Sequence, residues 1–188
     1  LEAARRNIDA WLPQLDAGAE AIVMTASGCG VMVKDYGWLL RNDAAYAEKA
    51  ARVAAATQDI SEVLGAERDA LKALGARSTS KRIAYHPPCT LQHGQKLTGS
   101  AEALLTDAGF ELVPVAEKHL CCGSAGTYSI LQPEIADQLK TRKLGHLTAG
   151  QPECIATANI GCLTHLQSGT TTPVKHWVEL LDEALAAS

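Results

Sequence analysis

Ile155-Ala156-Thr157-Ala158-Asn159-Ile160-Gly161-Cys162 is a short apolar run closed by a glycine–cysteine turn. It has an ungapped counterpart early in the chain, Ile22-Val23-Met24-Thr25-Ala26-Ser27-Gly28-Cys29. An apolar run bounded by such a turn reads as a buried strand. Each copy follows a helical pattern and leads through glycine-containing turns into a leucine-bearing helix. The pair reads as an internal duplication, with the first copy lacking its early motifs. Working outward, strand and helix patterns alternate along the chain, which implies an α/β fold of short, largely parallel sheets flanked by helices. Residues 1–76 are expected to form the C-terminal part of a first repeat, and 77–188 a second, complete one.

In the first half, Ala4, Ile8, Trp11 and Leu12 share a helical face that Pro13 is expected to end. Ser27 to Gly30 is read as a turn carrying Cys29 just past a strand over 21–25. Helical patterns then run around Gly37 and from Asp43 to Ala56. Asp59 is placed to cap a helix with Glu62 completing a capping box, and Ile60, Val63, Leu64, Leu71 and Leu74 form its apolar stripe. Gly75 to Lys81, small and polar, is the expected connector.

In the second half, a strand over Arg82 to His86 is halted by Pro87-Pro88, with Cys89 immediately after. Ser100 is expected to cap a helix that turns Ala101, Leu104, Leu105 and Ala108 inward and stops at Gly109. Phe110 to Val115 reads as a strand, and Pro133 opens a helix through Ala149. Pro173 to His176 is a last strand. Trp177, Leu180, Leu181, Ala184 and Leu185 line an amphipathic helix behind it.

Of the 188 residues, 47% are apolar and 20% charged, with a net charge of −4. That is the balance of a soluble globular protein, with no basic field to attract nucleic acid. The longest mostly apolar run, Ala21 to Val33, is too short and too interrupted to span a bilayer. The chain opens inside a helical pattern without an export signal, as a fragment of a longer cytoplasmic protein would. Its six cysteines therefore read as thiols in a reducing compartment. Disulfide frameworks belong to small secreted domains that lack a core.

Two of those thiols are adjacent, in Leu120-Cys121-Cys122-Gly123-Ser124-Ala125-Gly126. Neighbouring Cα atoms are about 3.8 Å apart, below the usual disulfide window of roughly 4.4–6.8 Å. Adjacent thiolates can, however, reach two metal atoms of a multinuclear cluster, and Gly123 and Gly126 allow the backbone to approach such a group. Cys89, Cys121, Cys122 and Cys162 all fall at or near strand ends, where α/β sheets place their ligands. Four converging thiols cannot all ionise without a cation between them. Soft thiolates select zinc or iron–sulfur clusters. Zinc sites lean on C-x-x-C chelate loops, which this chain lacks, so the spacing favours a cluster over zinc.

The pattern Cys89-x31-Cys121-Cys122-Gly123-x35-Asn159-x-x-Cys162 resembles the cysteine-rich CCG domain of heterodisulfide reductases and their relatives. Three longer segments look like the C-terminal part of glycolate oxidase iron–sulfur subunits. They are His86-Pro-Pro-Cys89-Thr-Leu-Gln-His93, Leu120-Cys-Cys-Gly-Ser-Ala-Gly-Thr-Tyr128 and Thr157-Ala-Asn-Ile-Gly-Cys-Leu-Thr-His165. Thr25 to Gly30 fits the same family, and the likeness covers essentially the whole chain. The resemblance implies an electron-transfer subunit, non-catalytic in itself, of a glycolate dehydrogenase. In such a complex a flavin-containing subunit oxidises glycolate to glyoxylate and iron–sulfur centres pass electrons toward a quinone-type acceptor. It also implies a ferredoxin-like N-terminal part outside this chain, and a cytoplasmic location at the inner membrane face reached only through the complex. The equivalent subunit of a lactate-oxidising complex and a zinc-bound or metal-free docking module are the alternatives.

The implied ligands are Cys89, Cys121, Cys122 and Cys162, holding a [4Fe–4S] cluster or zinc. Cys29 is a ligand only in the intact protein. Asn159 stands where the family pattern has a further cysteine, which argues against a five-thiolate cluster, and Cys154 is expected to be core rather than a substitute. His86, His93 and His165 flank the ligand loops and are expected to cap turns or lie half-exposed, with hydrogen bonds to sulfur as the alternative. His119 is undecided, His146 and His176 read as surface or helix-end residues, and Tyr128 as a packed aromatic.

Overall fold

A computed structural model describes residues 1–75 and 80–186. The chain divides into two compact units, Leu1–Val63 and Leu64–Ser188. The 76/77 boundary, and with it most of the expected connector, lies outside the described residues.

The first unit comprises α1 (Glu2–Asp16), β1 (Ile22–Met24), α2 (Ser27–Lys34), α3 (Tyr36–Leu39), α4 (Ala47–Ala56) and β2 (Thr57–Asp59), and its boundary at Val63 falls within α5 (Ile60–Ala66). β1 and β2 pair in parallel, Ile22 opposite Thr57 and Met24 opposite Asp59. Ala4, Ile8, Val33, Tyr36, Leu40, Ala50 and Val53 form its core. Two readings are corrected. α1 runs past Pro13, whose ring is exposed and whose carbonyl accepts the Ala17 N–H at 3.0 Å. Ser27-Gly-Cys-Gly30 is not a turn but the opening of α2, so Cys29 lies in the first turn of a helix.

β2 has no strand signature in Thr57-Gln58-Asp59, and only its pairing with β1 makes it one. The capping box does form. Asp59 Oδ1 accepts the Ser61 N–H at 2.9 Å and the Ser61 hydroxyl at 2.7 Å, while Glu62 Oε2 accepts the Asp59 N–H at 2.8 Å. Asp59→Ala is expected to lower stability by about 1–2 kcal/mol. Urea unfolding measures this, and an unchanged midpoint would show that the cap is energetically idle.

The second unit contains α6 (Arg68–Ala73), β3 (Arg82–His86), a π-helical turn (Thr90–Gly94), α7 (Ser100–Asp107) and β4 (Glu111–Leu112). After these come α8 (Tyr128–Leu131), α9 (Pro133–Thr148), β5 (Cys154–Thr157), α10 (Ile160–Gln167), β6 (Val174–His176) and α11 (Trp177–Ala186). The four strands pair in parallel in the order β4-β3-β5-β6. The outer strand is shorter than its apolar pattern suggests: Phe110 and Val113 are buried, but only Glu111–Leu112 pairs. Gly99, at φ +81, caps α7 in place of Ser100, which is its first helical residue. The stripe expected through Leu74 breaks between α5 and α6, leaving Leu74 exposed. Trp177, Leu180, Leu181 and Ala184 are buried as their spacing implies.

The echoed segments fold alike. β1–α2 and β5–α10 correspond: both strands end five residues before the cysteine, and both helices begin two residues before it and run for 8 residues. Each is later followed by a parallel partner strand, and that strand at once by a helix. Even the cap recurs. His176 Nδ1 accepts the Val178 N–H at 3.3 Å, and Glu179 Oε2 accepts the His176 N–H at 3.1 Å, as Asp59 and Glu62 do in the first unit.

The strand order of the second unit places the site. From β3 the chain moves outward to β4, then crosses back over β3 to β5 and on to β6. The loops after β3 and β5 therefore leave in opposite directions, and a crevice opens beyond the ends of these two neighbouring strands. Ligands in open α/β sheets bind at such a switch point.

Candidate metal centre

Four cysteines meet at this crevice. Cys89 follows β3 and caps the π-helical turn. Cys121 and Cys122 lie in the loop between β4 and α8, and Cys162 occupies the first turn of α10. Their sulfurs adjoin in the order Cys89, Cys121, Cys122, Cys162. Hydrogen bonding from Cys122, and then from Cys89, holds the Cys121 thiol far below its ordinary range. The Gly123 N–H adds a bond to Cys121 Sγ at 3.3 Å. Hydrogen bonding from Cys122 likewise lowers Cys162, against the burial that raises it. Cys89 and Cys122 shift upward, each chiefly through its bond to Cys121. Packed thiols of this kind cannot share ionisation among themselves, whereas a bound cation would allow all of them to ionise.

The loops are tied to one another and to α9. Gln92 donates to the Pro87 carbonyl at 2.8 Å and to the Lys118 carbonyl at 3.2 Å, and His93 Nε2 lies 3.3 Å from the His119 carbonyl. Glu117 is the anchor of the Cys121–Cys122 loop. It holds an unusual φ of +49, and side chains from α9 secure it. Arg142 grips its carboxylate from both guanidinium branches, His146 Nε2 lies 2.7 Å from it, and Lys143 Nζ donates to its backbone carbonyl at 2.6 Å. The Arg142 guanidinium foremost keeps the Glu117 carboxyl below the usual carboxylate range.

Lys143 is only 1% exposed. Burial pushes its ammonium below the ordinary lysine value, while Cys122, Glu117, Cys121 and Cys162 pull it back up. A buried cation facing a cluster of thiols offsets their negative charge. Lys143→Met is therefore expected to weaken binding of an anionic metal group by about 10- to 100-fold. Its effect on the metal-free chain should stay within ~2 kcal/mol, because the lost carbonyl bond is balanced by the relieved desolvation. Competition with a metal chelator, paired with urea unfolding of the apo form, checks both halves; undiminished affinity would contradict the role.

His86 is the residue that sequence reasoning misjudged. Rather than capping a turn or lying half-exposed, it is 1% exposed at the last position of β3, where no nitrogen or oxygen pairs its ring and it faces the Cys162 thiol, which it helps to hold below its ordinary range. A ring nitrogen of His86 and the sulfurs of Cys122 and Cys162 all lie within 4.8 Å of one another. The available signal was its position closing a strand whose central residues are all apolar or aromatic. A central parallel strand is buried on both faces.

The remaining candidates lie elsewhere. Cys154 begins β5, one strand length from the crevice, where it is buried with Sγ 3.6 Å from the Ile155 carbonyl. The Asn159 side chain is committed to capping α10, accepting the Gly161 N–H at 3.2 Å. Cys29 is exposed in the first unit. His165 Nε2 lies 3.5 Å from the Ala136 carbonyl, and His119 is exposed. Tyr128 is not packed. With Ile130 (76% exposed) and Leu131 it leaves α8 an apolar, exposed helix beside the cysteine loop.

The family model named "Cysteine-rich domain" (CCG) matches residues 83–167, the span that carries all four sulfurs. Lactate utilization protein A of Geobacillus kaustophilus is 31% identical over 177 residues, covering 88% of this chain and 71% of that protein. The chain belongs to the cysteine-rich CCG family. Within that family it is 52% identical, over 98% of its length, to the glycolate oxidase iron-sulfur subunit of Escherichia coli. It is 31% identical over 169 residues to the probable glycolate oxidase iron-sulfur subunit of Bacillus subtilis. The chain spans 45% of the E. coli protein and 37% of the B. subtilis one. No helix among the described residues is long and apolar enough to cross a membrane.

Proposed function

We propose that this CCG domain holds an iron–sulfur cluster on Cys89, Cys121, Cys122 and Cys162 and serves as an electron-transfer element of a complex that oxidises glycolate. The carrying observation is the convergence of these four sulfurs at the sheet's switch point. The donor set fits the group: it is soft, sulfur-rich and drawn from separate loops, with a buried ammonium nearby. When bound, the cluster supplies one-electron chemistry. The chain's own residues hold it, and Lys143 moderates its charge. The 52% likeness to the E. coli glycolate oxidase iron-sulfur subunit favours glycolate over lactate as the substrate of the whole assembly. Its flavin-containing partner subunit, the ferredoxin-like portion of the intact protein and a quinone-type acceptor belong to the same proposal, as do a [4Fe–4S] composition and location at the inner membrane face. The resemblance of the two units points to an ancestral duplication, in which Cys29 keeps the position of Cys162.

The test separates substrate chemistry from electron exit. In the intact complex carrying Cys122→Ser, glycolate should still reduce the flavin, while electron delivery to an added quinone or dye collapses. Loss of flavin reduction together with delivery, or full delivery by the variant, would refute the reading. A zinc-held docking module is the second reading. It is favoured by one observation, that His86 joins Cys122 and Cys162 in a mixed nitrogen–sulfur cluster. Zinc without acid-labile sulfide in the purified complex would select it.

A further inference from the structure

We propose that His86 is a direct nitrogen ligand of the metal group, on the side of the crevice lined by Cys122 and Cys162; this deepens the reading above and rests on it. Buried imidazoles pair their ring nitrogens with protein or water, and leaving one unpaired is costly. His86 is fully buried, no nitrogen or oxygen pairs either ring nitrogen, and the polar group it faces is the Cys162 thiol. Around it lie Cys122 and Cys162, with one donor atom from each of the three residues inside a 4.8 Å triangle. Donor atoms this close together can all reach one bound metal group, each through its own metal–ligand bond.

The scaffold supports the assignment. His86 pairs with Thr157 at the ends of the two central strands, and Pro87-Pro88 fix the backbone that follows it. The ring is therefore held by the most rigid part of the sheet. Asn159 cannot take this part, because its carbonyl oxygen is committed to the cap of α10. The crevice thus offers four sulfurs and one nitrogen. An imidazole is neutral where a thiolate is anionic, so a histidine-ligated cluster is easier to reduce than an all-thiolate one.

The test uses the 188-residue chain, reconstituted anaerobically with iron and sulfide and then reduced, with its histidines labelled with nitrogen-15. The expected result is a nitrogen hyperfine coupling of directly bound strength in the electron paramagnetic spectrum, which changes with the label. His86→Cys, which offers a thiolate in the same place, should keep the cluster, lose that coupling and lower the reduction potential. A wild-type cluster with no directly bound nitrogen overturns the ligand role while leaving the four-sulfur reading intact. A chain that takes up no iron and sulfide overturns both. The wild-type spectrum decides the matter even if His86 variants fail to fold.

Discussion

Gly123→Ala is expected to abolish metal binding and to destabilise the second unit. Gly123 adopts φ +96, and a Cβ there would overlap the Ala136 carbonyl oxygen and crowd His165 Nε2. The left-handed conformation costs an L-residue about 1–3 kcal/mol. Forcing a methyl against backbone adds roughly 1–3 kcal/mol more. The Ala136 carbonyl cannot yield cheaply, since Ala136 is a buried residue of α9, the helix that clamps Glu117. The chain can relieve the overlap only by moving the loop, and that carries Cys121 and Cys122 off the other sulfurs. Gly126, also at positive φ (+60) but with nothing within 4 Å of a Cβ, is the internal control. Gly126→Ala should incur the conformational cost alone and retain the metal. Thermal unfolding and iron content of the two variants, side by side, check the argument. Equal behaviour would show that the contact with α9 does not matter.

The second large effect separates sulfurs by place rather than by kind. Cys122 and Cys154 are both buried thiols of the second unit, and a tally of cysteines does not tell them apart. Cys122 lies in the crevice between the sulfurs of Cys121 and Cys162. Cys154 begins β5 at the opposite end of the strand, with its sulfur against a backbone oxygen. Cys122→Ser should therefore cost about two orders of magnitude in metal affinity, if four ligands share a binding free energy on the order of 10–16 kcal/mol. Cys154→Ser should leave affinity unchanged and cost only the stability of a slightly altered core. Chelator competition on both variants reads the contrast. Comparable losses in the two would mean that the thiols act through folding and not through the metal.

Much of this was legible in the residues because the determining signals are local. The echo of Ile22–Cys29 in Ile155–Cys162 announced two equivalent strand–helix junctions. Both fold alike, down to a cap formed by Asp59 and Glu62 in one unit and by His176 and Glu179 in the other. Cysteines just past strand ends were bound to gather once the strands ran parallel. What stayed hidden depends on contacts made at long range. Thr57-Gln58-Asp59 carries no strand propensity and becomes β2 only because Ile22–Met24 lies alongside it. Glu117 and Lys143 are 26 residues apart in sequence, and nothing in either segment announces their bond. His86 was hidden differently: its chemistry is visible in the sequence, but its burial follows from β3 lying between β4 and β5. Pro13 misled because a proline's missing N–H is tolerable in the last turn of a helix when its ring faces solvent.

The clamp on Glu117 ties these parts together. A loop that must deliver two adjacent sulfurs to one crevice needs a fixed origin, and the strained φ of +49 at Glu117 is sustained by Arg142, Lys143 and His146 from a single helix. The same helix presents the Ala136 carbonyl that makes Gly123 obligatory. α9 thus controls both ends of the cysteine loop, while Gln92 and His93 fasten the loop to Cys89.

The most direct measurement is an anomalous difference map at the iron edge, from crystals of the chain reconstituted anaerobically with iron and sulfide. The account predicts one dominant peak beyond the ends of β3 and β5, within bonding reach of Cys89, Cys121, Cys122 and Cys162. Iron bound anywhere else, or four ordered sulfurs with no iron among them, would contradict it.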